Sequence, residues 1–263
     1  MAQDIRNRPE SREDRRAEAR PIAQYSVGRI LATWAAATVP MGVLAWLVAP
    51  RVATVVDGPA PLVQALLALL TIGLAWQFVL VVLLVWWEQR SLRWSVLREA
   101  LWLRRPTSPR TGRVGGRVWL VLIPLAVLFY AEGLIPNLPH QAGRDFGLFL
   151  GSEAGEAFFH GAWGWYGVLI VMWIFNTVLG EELLFRGLLL PRMNGAFGRA
   201  DWLVNGVLFA AYHVHMPWAI PGILADAFVL AYPTKRYRSA WIGIAVHSAQ
   251  SIFLAAIVLT VVI

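Results

Sequence analysis

The sequence has no cysteine, so disulfides, thiolate metal sites and a cysteine nucleophile are excluded, while the redox compartment stays open. Charge is scarce: Asp, Glu, Lys and Arg make up 15% of the residues, against about a quarter in a soluble domain. No Gly-x-Ser-x-Gly occurs, which removes the nucleophile elbow of serine hydrolases. No His-Glu-x-x-His occurs either, which excludes zincin geometry. No repeat of fixed period and no inverted copy of one half is legible. The first 27 residues hold no apolar core of leader type.

What is plentiful is apolar surface. Hydrophobic residues make up 58% of the chain, and several runs reach the ~20 residues that a helix needs to cross a bilayer. The expected fold is all-α: a polytopic transmembrane helical bundle of about seven spans, two of them short. Residues 1–27, where five acids nearly balance six arginines, read as a disordered cytoplasmic tail, and 28–263 as the transmembrane domain. Spans are expected at 29–49 (ended by Pro50), 61–87, 118–135, 163–190 and 240–263, with short pieces at 202–215 and 219–231. Between the second and third, Glu88–Arg117 carries eight arginines against two glutamates. Leu92, Trp94, Leu97, Leu101 and Trp102 are set among them, a pattern that fits an amphipathic helix on the membrane surface. Arginine-rich loops alternate with weakly charged ones, so the positive-inside tendency places the N-terminus in the cytoplasm. Those loops account for the net charge of +7, and no nucleic-acid partner is expected. The expected location is the cell (cytoplasmic) membrane, multi-pass.

One stretch stands against this apolar background: Gly180-Glu181-Glu182-Leu183-Leu184-Phe185-Arg186-Gly187, directly after an uncharged run. Ionisable groups at membrane depth cost about 2.5–3.5 kcal/mol each on insertion scales, so three facing lipid would cost roughly 7–10 kcal/mol. They belong in a polar interior, which makes them functional candidates. Glu182 and Arg186, four apart, share a helix face and can pair; Glu181 lies about 100° away and is free to act. Five histidines occur, and two sit in later apolar helices: His213, with Phe209 four residues before it, and His247. His215 would point away from His213 while the helix lasts, and His140 and His160 read as loop residues. Asp226, inside a short span, could line the same cavity or bond a neighbouring helix. Glu181, His213 and His247 fit two schemes. A carboxylate can take a proton from water while imidazole stabilises an oxyanion, or the three can hold a catalytic zinc with water in the open position.

Glu-Glu-x-x-x-Arg at 181–186, Phe-x-x-x-His at 209–213 and a histidine in the last span, in that order, resemble the CPBP family of intramembrane proteases. These are the CAAX-processing and bacteriocin-processing (Abi) enzymes, related to the type II CAAX prenyl endopeptidase. The resemblance covers about 160–255. It implies an all-helical membrane enzyme with a cavity open toward the cytoplasmic side. In that reading Glu181 activates water, Glu182 and Arg186 are its partners, and His213 and His247 are the two essential histidines, with Phe209 in support. The metal stays open: zinc on Glu181, His213 and His247, or none. Where the family motif continues His-x-x-x-Asn, this chain has Ser251, with Gln250 one residue earlier, and either could donate to an oxyanion. The expected function is an intramembrane endopeptidase that cleaves a membrane-associated peptide or protein near the cytoplasmic face. The alternatives are a non-catalytic scaffold or immunity protein and a carrier whose Glu and His relay protons.

Overall fold

A computed structural model describes residues 20–140 and 142–263. Among these residues helix is the only regular structure apart from one isolated bridge between Thr107 and Val114. The main helices are α1 (Val27–Val52), α2 (Pro61–Gln89), α3 (Trp94–Ala100), α4 (Gly116–Leu134), α5 (Glu153–Phe159), α6 (Trp163–Arg192), α7 (Asp201–Tyr212), α8 (227–237) and α9 (Ala240–Val262), with single helical turns at Phe146–Leu150, Asn194–Phe197 and Ile220–Ile223 in the linkers. Five of them, α1, α2, α4, α6 and α9, are long and apolar enough to cross a membrane. The two short pieces anticipated after α6 are the 12-residue α7 and the segment around α8. Each buries one face in the bundle, with Phe209, Ala210 and Leu230 covered, and leaves the other open at Leu203, Val207 and Phe228.

Two local expectations are corrected. Pro50 does not end the first span. Leu44–Val48 is wound with i→i+5 bonds, Ala49 N–H reaching Leu44 O, and the helix continues past the proline to Val52. This change of winding absorbs a residue that has no N–H to give. Nor is Glu88–Arg117 one surface helix. Between the end of α2 at Gln89 and the start of α4 only Trp94–Ala100 is helical, and Val96, Ala100, Leu101 and Leu103 are buried in the core. The start of α9 draws the chain inward, because Ala240 N–H donates to Trp102 O at 2.9 Å and Ser239 Oγ to Arg104 O.

The bundle has two unlike ends. At one, the arginine-rich segments are tied to each other. Tyr25 N–H donates to Arg192 O at 2.8 Å, Arg20 N–H to Gln89 Oε1 at 2.7 Å, and Thr107 N–H to Tyr237 O at 3.0 Å. Glu88 accepts from Arg29 at 2.7 Å, from Arg192 at 2.8 and 3.0 Å, and from the Tyr25 hydroxyl. Burial first, opposed by Arg192 and reinforced by the Glu88 bond, holds the Tyr25 phenol above its ordinary pKa, so it stays a donor. Residues 1–19 of the expected tail lie outside the described residues; 20–26 are docked by these bonds. At the other end, Trp46 Nε1 donates to Val214 O at 2.7 Å, Leu138 N–H to Trp218 O at 2.9 Å and Gly161 N–H to Val262 O at 3.0 Å. Phe158, Phe159, Trp173 and Val258 form an apolar cluster there.

Candidate active site

The octet owes its geometry to an irregular α6. Phe175–Gly180 and Leu183–Leu189 are π-wound, a feature that is often found at functional sites. With i→i+5 winding, residue 176 comes into line with residue 181. The Asn176 amide, its nitrogen turned to the carboxylate, donates to both Glu181 oxygens at 2.8 and 3.0 Å. The Tyr212 hydroxyl, which accepts from Gln77 Nε2 at 2.6 Å, lies beside the same carboxylate. The carboxyl group of Glu181 is therefore held from α6 and α7 together, with Gln77 of α2 behind.

Glu182 points elsewhere. Its Oε1 is 3.2 Å from His247 Nδ1 and 3.4 Å from Arg186 Nη1, all buried. The expected 182–186 pairing is therefore a contact, although no Arg186 N–H is aligned on an acceptor. The guanidinium also lies 3.9 Å from the centroid of the Phe209 ring, where a cation meets the negative face of the π system. Phe209 has two further roles. Its ring meets His213 edge to face at 4.8 Å, and its carbonyl accepts from His213 Nδ1 at 2.9 Å. A carbonyl or carboxylate only accepts, so Nδ1 carries the proton in both histidines and Nε2 is the free nitrogen of each.

These groups surround a cavity of about 410 Å³. Glu181, His213 and His247 all line it, as does Gln250; Glu182, Arg186 and Ser251 do not. Its walls include Leu66, Leu70 and Leu254, and its exposed rim is Asn137, Gly143 and Gly147. The cavity thus opens at the end away from the arginine-rich loops. The resemblance implied a cytoplasmic opening and the charges a cytoplasmic arginine-rich end; in this structure the two are incompatible.

Sequence reasoning passed over several residues here. α7 stops at Tyr212, so the chain turns and His215 stacks on His213 with ring centroids 5.3 Å apart, lining the same cavity. Helical periodicity had sent His215 to the far side. Glu132, at the end of an apolar run in α4, lines the cavity within hydrogen-bonding reach of Asp226. No described N–H or O–H donates to Asp226 Oδ1. A carboxylate can only accept, so a bond between these two requires a proton on one of them. His140 lies outside the lining, 2.8 Å from Asp145 and stacked on Trp218, both of which line the cavity.

Among the described residues no three His, Asp or Glu side chains are grouped to hold a metal ion. Glu181, His213 and His247, the zinc set considered from the sequence, are not grouped in that way, although Phe209 O and Glu182 hold Nδ1 of the two rings and leave Nε2 of each free. Residues 162–253 match the family model described as type II CAAX prenyl endopeptidase Rce1-like. No curated protein and no solved structure matches the chain.

Proposed function

Through residues 162–253 the chain belongs to the CPBP/CAAX protease family, and from that premise we propose that it is an intramembrane endopeptidase in which Glu181 activates water. The observation that carries the reading is the convergence of Glu181, His213 and His247 on one buried cavity. Glu181 takes a proton from water, and the oxygen left behind bonds to the carbonyl carbon while the C=O π pair moves onto oxygen. Collapse breaks the C–N bond, and the amine leaves with the proton from Glu181. Two donated bonds from Asn176 fix the position of the Glu181 carboxylate. The free Nε2 of His213 accepts a hydrogen bond from the attacking water. His247, held by Glu182, borders the oxyanion position, and the Gln250 amide supplies a donor there where the family has asparagine. Arg186 neutralises Glu182.

The reading includes seven crossings, with α7 and α8 as short inner ones, and a place in the cell membrane. Its substrate is a peptide or protein segment that is itself membrane-associated. General acid–base catalysis is worth about 10²–10⁴-fold, so Glu181→Gln should slow cleavage by at least 10²-fold. The check compares terminal peptides of membrane-associated proteins in cells that lack the gene and carry either wild type or Glu181→Gln. Restoration of the wild-type pattern by the variant would overturn the assignment.

A further inference from the structure

Which side of the membrane feeds the cavity follows from two facts that are independent of catalysis. The first is where the cavity is open and where it is shut. Its exposed lining residues are Asn137, Gly143 and Gly147, all in the linker between α4 and α5. Beyond its floor, Glu182, Phe185, Arg186, Leu188, Leu189 and Arg192 are buried. From Glu181 to Arg192, α6 therefore runs through filled protein over a distance on the order of 15 Å.

The second fact is the charge of the two ends. The shut end carries Glu88–Arg117 with its eight arginines against two glutamates, together with Arg192, Arg199, Lys235, Arg236 and Arg238. Hydrogen bonds join all of these segments, and residues 20–26, into one face. The open end has Arg51 and Arg144 as its described cations, against Asp57, Asp145, Glu153 and Glu156. Arg144 is engaged there, its Nη1 donating to Ala45 O at 3.1 Å and its guanidinium lying 4.2 Å from the Trp46 ring centroid. Short loops rich in Lys and Arg stay in the cytoplasm.

We infer that the cavity is entered from the non-cytoplasmic face, and that its substrate is a segment which export across the membrane has already delivered there. Translocation is then the step that supplies this site, and a C-terminus anchored to the cytoplasmic leaflet meets the closed end instead. What enters rests on the protease reading above; the side of access does not.

The cysteine-free sequence allows a test that needs no cleavage. Single-cysteine chains Gly143→Cys at the rim, Met216→Cys inside the cavity and Thr111→Cys at the opposite end are expressed in intact cells. They are treated with a small membrane-impermeant methanethiosulfonate, before and after permeabilisation. An added Cβ at Gly143 meets nothing within 4 Å, and Thr111 is exposed, so neither change disturbs packing. The expected pattern is modification of Gly143→Cys and Met216→Cys in intact cells, with Thr111→Cys modified only after permeabilisation. The reverse pattern, or modification of Thr111→Cys from outside, overturns the orientation. Modification of Gly143→Cys without Met216→Cys overturns the route into the cavity. Cleavage by Glu181→Gln would sink the protease reading and leave this labelling pattern untouched.

Discussion

His213 gives its Nδ1 proton to Phe209 O and His247 gives its own to Glu182, so neither ring is free to turn. In the proposed reaction the oxyanion then depends on a further donor whose position is fixed. Gln250 and Ser251 lie three and four residues after His247, and on an α-helix both spacings return to nearly the same face. Sequence alone therefore cannot choose between them. The structure separates them, because Gln250 lines the cavity and Ser251 is buried outside it. Loss of one oxyanion donor costs about 10²–10³-fold in rate. Gln250→Ala should lose that much in kcat, whereas Ser251→Ala should stay within a few-fold of wild type. Equal losses in the two variants, measured on the same substrate, would refute the assignment to Gln250.

At the scale of elements, α6 decides what the site contains. Gly180 lets it close on α2, since an added Cβ would stand 3.0 Å from Leu74 O, and Gly243 of α9 leaves room for the Glu182 carboxylate. The π-winding then brings Asn176 under Glu181, a five-residue spacing. A hydrogen bond to a charged group is worth about 1.5–3 kcal/mol, so Asn176→Leu should lower kcat by roughly 10–100-fold. The loss should fall mainly on kcat, because Asn176 holds the proposed base even though it also lines the cavity; a change confined to KM would show a different role. This partner was out of reach of the sequence, because i+3 and i+4 are the spacings that an α-helix offers. The spans were legible because the length of an apolar run is itself the physical signal. The octet was legible because three charges at the end of such a run demand a reason. The turn that brings His215 back was hidden: it depends on α7 ending at Tyr212, and Pro217, five residues on, only marks that an end is near.

For the molecule as a whole, the difference between the two ends matters most. The shut end is held by polar bonds that converge on Glu88, whose side chain is 6% exposed and whose partner Arg192 is 0% exposed. Removing one member of a buried pair destabilises by about 3–5 kcal/mol. Glu88→Ala should therefore lower the thermal midpoint in detergent by something on the order of 10 °C. Protease sites at 20–26 should open in the same variant, and an unchanged midpoint would show that Glu88 does not hold the end together. The same bonds also set an order of assembly. Gln24 reaches Pro191 across 167 positions, and Arg192 reaches Glu88 across 104. While the chain is being made, the strap at 20–26 can meet Glu88 and Gln89 of α2 at once, but its bonds to Pro191 and Arg192 must wait for the last turn of α6. The end that closes the site from beneath is therefore completed late, and a chain halted within α6 keeps its early helices with only the α2 half of their clasp.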